Sequence, residues 1–145
     1  MGEVVSDRFD LHRFVTAQNA GGVYDDAVRQ LRNGHKRSHW MWFIFPQVAG
    51  LGRSATAEHF AIRGLPEAEA YLAHPLLGPR LLECAQILTD LPRGDPDKIL
   101  GPVDAQKLRS SMTLFARVAP DAQVFTQVLD KYFAGEADDG TTSRL

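Results

Sequence analysis

The sequence predicts an all-α protein, a compact single domain built from about eight short helices. Apolar residues recur at helical spacing through most of the chain, and proline and glycine separate these periodic segments. No stretch shows a convincing period-two alternation of the kind that a half-buried strand requires. A chain of 145 residues suits one core, so we expect a single domain over residues 1–145, with a loosely ordered polar tail at 136–145.

Composition narrows the classes of function. The 16 basic and 18 acidic side chains give a formal net charge of −2, so no global field attracts nucleic acid, and we expect no nucleic-acid partner. No apolar run approaches the roughly 20 residues that span a bilayer, and residues 1–7 show no signal-peptide core. We therefore expect a cytoplasmic protein without membrane contacts.

The thiol and imidazole side chains favour neither a disulfide nor a metal site. Cys84 is the single cysteine, and its leucine-rich surroundings predict a buried, inert thiol. Among the five histidines, His35 and His39 have a spacing of four, but Gly34 disfavours the helix that this pair would need to reach one metal. We expect no metal and no cofactor.

Residues 38–47, Ser-His-Trp-Met-Trp-Phe-Ile-Phe-Pro-Gln, form the centre of the predicted core. Both tryptophans lie in this stretch, and large aromatic side chains bury about 150–250 Å² each. The run 40–45 is apolar without a break, so its periodicity distinguishes neither helix nor strand. Pro46 disfavours helical angles at Phe45, so regular helix should end there.

The predicted helices are separated by recognisable start and stop signals. Asp7 or Asp10 can cap the first helix, and Asn33-Gly34 ends the second. Ser54 is a good N-cap for the third, and prolines begin several of the later ones. The helices are expected over residues 9–19, 23–31, 55–62, 65–72, 79–91, 96–100, 104–118 and 124–133.

Polar side chains next to the central stretch are candidates for chemistry. His39 could exchange protons at neutral pH beside a stacking wall that includes Trp42. The alternative is that the tryptophans are core and that His39 bonds a backbone group. Four cations precede the stretch, and they form either a solvated helix end or an anion-attracting rim. They are Arg29, Arg32, Lys36 and Arg37.

The loop Gly50-Leu51-Gly52-Arg53-Ser54 enters a predicted helix and could bind an anion there. Free amides at a helix N-terminus, an arginine and a serine all suit phosphate. The loop matches neither the Walker loop nor the dinucleotide fingerprint. The alternative is a turn followed by a helix cap.

The helix predicted over 104–118 carries a further polar group. Asp104 and Ser111 lie at the edge of its apolar arc, and Lys107 lies just beyond that edge. Lys107 and Ser111 could form a Ser–Lys catalytic pair, whereas Asp104 and Lys107 could simply form a surface ion pair.

Motifs with a family resemblance cover nearly the whole chain. They fall within residues 38–47, 50–54, 67–72, 74–81, 99–101, 104–108, 110–115 and 138–142. Through them the chain resembles the uncharacterised bacterial domain-of-unknown-function family numbered eighteen-ten, sometimes mislabelled calpastatin, and in particular its mycobacterial-type hypothetical members. The resemblance implies a mainly helical fold of uncommon topology. It implies no established activity.

Glu58-His59-Phe60 carry a fainter resemblance. The triplet is similar to the Glu-His-aromatic segment of proteins that cleave N-glycosidic bonds in ADP-ribose-linked metabolites. That family continues with Gln-x-x-Lys, whereas residues 61–64 here are Ala-Ile-Arg-Gly. The resemblance implies a role for Glu58 in hydrolysis.

Two functions stay open, and the sequence does not specify whether the protein is an enzyme. The first is binding, with hydrolysis as an option, of a small anionic nucleotide-like or ADP-ribose-related ligand beside the His-Trp-x-Trp stretch, because the polar residues there would be costly in a plain core. The second is a non-catalytic helical protein-interaction module with an unknown partner. The candidate catalytic residues are His39, Glu58 and Lys107. The candidate ligand-binding residues are Trp42, Gln47, Gly50, Gly52, Arg53, Ser54, Asp104 and Ser111.

Overall fold

The computed structural model describes residues 7–92 and 94–145. The predicted all-α fold is confirmed. None of the helices in the described ranges combines the length and the apolar character that crossing a membrane requires. The helices are α1 His12–Asn19, α2 Val23–Arg32, α3 Met41–Ile44, α4 Ala55–His59, α5 Leu65–Ala73, α6 Leu77–Asp90, α7 Pro96–Leu100, α8 Pro102–Val118, α9 Gln123–Phe133 and α10 Asp139–Thr142.

Helix α8 is the central element of the bundle. It packs against α5, α7, α9 and α10, and α6 closes the core from the other side through α2, α5 and α9. Leu108, Met112 and Phe115 are fully buried along α8, as their helical spacing predicts. Helix α8 spans 17 residues, so it extends beyond the core. Its N-terminal turn lies at the surface, next to the central stretch.

Side-chain caps fix where several helices begin. The Asp7 carboxylate accepts hydrogen bonds from the amides of Leu11 at 2.6 Å and His12 at 2.9 Å, at the start of α1. Burial of this carboxyl opposes its ionisation, but the two amide bonds outweigh that effect and lower the pKa of Asp7. Ser54 and Asp95 cap α4 and α7 through the amides that the sequence indicates.

Helix α6 begins two residues earlier than the sequence predicts, at Leu77 rather than Pro79. The corner between α5 and α6 is very tight at Gly78. A Cβ atom at this position would lie 2.0 Å from the carbonyl oxygen of Leu72, so the two helices approach at a residue without a side chain. Pro79 is therefore a first-turn residue, where a missing N–H is tolerated.

A buried ion pair fastens α1 to α5 and to the segment between α4 and α5. Nη2 of Arg13 lies 2.7 Å from Oε2 of Glu67, and the two side chains are 9% and 2% exposed. The same guanidinium donates to the carbonyl oxygens of His59 and Ala61 at 2.8 and 2.9 Å. Oε1 of Glu67 accepts from the amide of Arg63 at 3.0 Å. The pair thus holds three backbone sites together, at residues 59, 61 and 63.

The segment 136–145 differs from the loosely ordered tail that its polar sequence predicts. Asp138 accepts from Gln106 at 2.8 Å, from Ser110 at 3.2 Å and from the hydroxyl of Thr141 at 2.6 Å. Its own amide donates to the hydroxyl of Thr113 at 2.9 Å. Polar residues satisfied by partners on α8 therefore hold this segment in place, and Thr141 is fully buried.

The buried ion pair leads to a stability prediction. Glu67→Gln leaves the Arg13 charge uncompensated in a nearly dry site, so the free energy of unfolding in urea should fall by about 3–5 kcal/mol. The matched control is Asp26→Asn, which breaks the exposed pair with Arg29. That change should alter stability by less than about 1 kcal/mol. Equal effects of the two substitutions would contradict the role given to Glu67.

The cysteine leads to a second prediction. Burial raises the pKa of the Cys84 thiol to about 12, against an ordinary value of about 8.5. At pH 8 a thiol-specific disulfide reagent should label the native protein far more slowly than the urea-unfolded chain. Since the folded pKa is the higher one, the neutral thiol stabilises the fold fully below about pH 8.5, and this contribution is lost as the pH rises through about 12. Rapid labelling of native protein would show the thiol to be accessible.

Candidate functional site

The central stretch divides its two tryptophans between the core and a cleft. Trp40 is fully buried, and its Nε1 donates to Oε1 of Gln30 at 2.8 Å. The same amide oxygen accepts from the backbone amides of Arg37 at 2.8 Å and Ser38 at 3.2 Å. Gln30 therefore anchors this part of the chain to α2. Trp42, one half-turn further on, is only partly buried and faces the cleft.

Two lysines and an aspartate line a cavity of about 300 Å³ beside Trp42, here called the lysine cavity. Oδ2 of Asp104 lies 2.9 Å from Nζ of Lys36, and Oδ1 lies 3.4 Å from Nζ of Lys107. Nζ of Lys107 is also 4.7 Å from the centroid of the Trp42 ring, a cation–π contact. His39 is exposed at the same cavity.

The lysine cavity carries a net positive charge. Two ammonium groups share one carboxylate, so one positive charge is not neutralised within the Lys36–Asp104–Lys107 cluster. The first turn of α8, at Gly101–Asp104, forms another part of the wall, and no side chain caps its amides. Helix N-termini carry partial positive charge, so the dipole of α8 adds to the field of the lysines. A wall of this charge is chemically suited to an anion.

A smaller cavity of about 140 Å³ borders Trp42 as well, and it is called here the Glu58 cavity. Trp42 and Phe60 supply aromatic walls, and Gln47, Glu58 and Arg63 supply polar groups. The chain is drawn together here by a parallel β-bridge, in which the amide of residue 62 donates to the carbonyl of residue 47 at 2.8 Å. This pairing places the 47–49 and 58–63 segments on two sides of one cleft.

A third cavity, of about 450 Å³, shares lining residues with the other two and is called the C-terminal cavity. Lys107 lines both it and the lysine cavity, and Gln47 lines both it and the Glu58 cavity. Asp138 and Gly140 form its outer wall. The segment 136–145, expected to be a loose tail, is thus part of the candidate site.

The structure brings most of the candidate residues to the walls of these three neighbouring cavities. His39, Asp104 and Lys107 line the lysine cavity, and Glu58 lies in the adjoining one. The remaining candidates that reach a cavity wall are Trp42, Gln47, Gly50 and Gly52.

Three candidates lie elsewhere, for physical reasons. Ser54 uses its hydroxyl to accept from the amide of Ala57 at 3.1 Å, and α4 has only five residues, so the predicted anion site at this helix start is not formed. Arg53 is exposed and does not line these cavities. Ser111 is fully buried in α8, inside the core rather than on a cavity wall, and its hydroxyl has no hydrogen-bond partner among the described residues.

Backbone conformation and packing explain why glycine occupies positions 50 and 52 of the loop. Gly50 has φ of 98°, a conformation that other residues rarely adopt, and a Cβ there would lie 2.8 Å from Nε of Arg144. A Cβ on Gly52 would lie 2.5 Å from the Cβ of Ala57. Both positions therefore need glycine for the loop to pack, whatever they contact in the cavity.

Sequence reasoning overlooked two residues of the site and left a third undecided. Lys36 is one of the four cations for which a solvated helix end and an anion-attracting rim stayed open, and the structure buries it against Asp104. Gln30 had no local signal, because it binds the backbone amides of residues 37 and 38 and the indole of Trp40. Asp138 lies in the 138–142 motif and caps α10, but its contact with Gln106 spans 32 positions and had no signal. In the described part of the chain, no group of three or more His, Cys, Asp or Glu side chains is placed to hold a metal ion.

Comparison with known proteins defines the class of this chain. It belongs to the family described as protein of unknown function DUF1810, whose model matches residues 8–145. A similar solved structure is that of the conserved hypothetical protein Rv1873 from Mycobacterium tuberculosis. The two chains are 50% identical, and the match covers 96% of this chain and 98% of the other, with a TM-score of 0.92. No curated protein matches the chain.

The different environments of the two tryptophans can be measured by fluorescence. Trp40→Phe leaves only the partly exposed Trp42, and Trp42→Phe leaves only the fully buried Trp40. Acrylamide should therefore quench the Trp40→Phe variant several-fold more strongly than the Trp42→Phe variant. Quenching in the unfolded state, where the two should behave alike, is the control. Equal quenching of the two folded variants would contradict the position of Trp42 at the cleft.

Proposed function

We propose that the protein binds a small anionic, nucleotide-like or ADP-ribose-related ligand in the three neighbouring cavities, two of which are lined by Trp42. The observation that carries the proposal is the position of Lys107. Its ammonium lines two of the cavities and lies over the Trp42 ring, so a charge and an aromatic surface meet at the same point. Such a pairing suits a ligand that combines phosphate with a ring. The proposal includes a cytoplasmic location, where phosphorylated metabolites are found.

Charge and burial support an anionic ligand. The Lys36 side chain is 9% exposed and that of Lys107 23%, so both ammonium groups have given up much of their water. Their shared carboxylate, Asp104, compensates for one of the two charges. A phosphate entering the cavity compensates for the other and forms charge-assisted hydrogen bonds, which are stronger than neutral ones. The site is thus prepared for an anion without any large rearrangement.

Hydrolysis is the optional part of the proposal. Glu58 and His39 line cavities on different parts of Trp42, so a ligand spanning both cavities would place its central bond between them. An exposed carboxylate could act as a general base toward a water molecule. The experiment for this part is chromatography of ADP-ribose-linked nucleosides incubated with the protein, with Glu58→Gln as the comparison.

The alternative function, a non-catalytic interaction module, has weaker support in the structure. The large apolar side chains exposed in the described residues are Val103 at 70% and Leu82 at 40%. They lie on different helices, α8 and α6, and single exposed apolar residues are normal on soluble proteins. Val103 lines the lysine and C-terminal cavities, where a bound ligand would also cover it.

A binding experiment tests the proposal directly. In a thermal-shift and calorimetry screen of nucleoside phosphates and ADP-ribose, at least one compound should bind, and at 100 times its dissociation constant it should stabilise the fold by about 2.7 kcal/mol. Lys107→Met should weaken that binding about tenfold or more, because a charge-assisted contact is lost. Lys98→Met, at an exposed position on α7, is the matched control and should bind as the wild type does. Failure of every compound to bind would refute the proposal.

A further inference from the structure

The Glu58 cavity has a chemistry that the anion-binding proposal leaves unused. Glu58, Gln47 and Arg63 all line it. Among the described residues, no hydrogen bond or ion pair within the protein engages the side-chain ends of these three; the amide of Arg63, by contrast, donates to Glu67. Three polar side chains that converge on a cleft without protein partners are available to a ligand.

The three groups require a particular hydrogen-bonding pattern. An ionised Glu58 only accepts, Arg63 only donates, and Gln47 does both. Glu58 and Arg63 carry opposite charges that offset each other, so a phosphate gains no net attraction in this cavity. The complementary group is neutral, presents an N–H donor to Glu58 and offers an acceptor to Arg63.

The walls and the size of the cavity define the shape of that group. Trp42 and Phe60 are its aromatic walls, and aromatic faces favour flat rings. Lys107 covers Trp42 from the side of the lysine cavity and does not line the Glu58 cavity, which leaves part of the indole to a ligand. The volume of about 140 Å³ is below the roughly 300 Å³ of a small complete ligand pocket, so the cavity takes one end of a ligand.

We infer that the Glu58 cavity binds a planar nitrogen heterocycle with an N–H donor, joined to the phosphate that the lysine cavity binds. This inference rests on the proposed function and names its ligand class: a nucleotide whose ring has a donor edge. Glu58 is then the residue that selects the ring, and Lys107 is the residue that binds the charge. The ring and the phosphate lie on different parts of Trp42, which explains why this tryptophan is left partly exposed.

Four probes distinguish the contribution of the ring to binding from that of the phosphate. Ribose 5-phosphate has the charge and no ring, and purine riboside 5′-monophosphate has a ring without an N–H donor. AMP adds an amino group, and GMP adds an amino group and a ring N–H. By calorimetry, AMP or GMP should bind the wild-type protein about tenfold or more tightly than the other two probes, since a site built for a donor rejects analogues that lack it.

Two substitutions assign the effect to residues. Glu58→Gln should bring AMP or GMP close to the affinity of purine riboside 5′-monophosphate and leave ribose 5-phosphate unchanged. Lys107→Met should weaken all four probes. Glu69→Gln, at an exposed position on α5, is the matched control and should change none of them.

The outcomes distinguish this inference from the function on which it rests. If the phosphates bind but Glu58→Gln and the donor groups make no difference, the ring assignment is wrong and anion binding stands. If Glu58→Gln weakens ribose 5-phosphate as much as the ring-bearing probes, Glu58 does not read the ring and the inference is wrong again. If none of the four probes binds but another compound of the thermal-shift screen does, the inference is wrong and the proposed function stands.

Discussion

The buried pair of Arg13 and Glu67 is the interaction on which the candidate site depends. Neither side chain is part of a cavity, yet together they fix the backbone at residues 59, 61 and 63. These positions flank the groups that form one wall of the cleft. Burying two charges is expensive, and the pair compensates through many hydrogen bonds to carbonyls and an amide. This energetically costly ion pair therefore lies behind one wall of the site, where it makes the backbone of that wall rigid.

The central stretch shows how a short helix can divide a run of apolar residues. Trp40, Met41, Phe43, Ile44 and Phe45 are buried, whereas Trp42 turns toward the cleft. The four-residue helix α3 makes this division possible, because neighbouring side chains on a helix point in different directions. The stretch thus belongs to the core and to the site at once, which is why neither a purely structural nor a purely functional interpretation of its sequence is complete.

Features that depend on neighbouring residues were predicted well from the sequence. Contacts between residues far apart in the chain were not. The helix caps at Ser54 and Asp95 and the helix end near Gly34 depend on a few neighbouring residues, so they can be predicted from the sequence. Arg13 and Glu67 are 54 positions apart, and no spacing rule connects them. Ser111 lies on the margin of the apolar arc in a helical projection, but α8 is covered on so many sides that this margin is buried. The part of the candidate site that lies next to the central stretch was predicted from the sequence. The part that depends on packing between helices distant in the chain was missed.

The contact between Arg144 and the carbonyl of Gly50 joins residues 94 positions apart in the chain. Closing so long a loop costs conformational entropy. The contact ties the last residues of the chain, which include the outer wall of the C-terminal cavity, to the glycine loop. A chain that lacks this segment also lacks the outer wall of the cavity, so ligand binding there would distinguish complete molecules from incomplete ones.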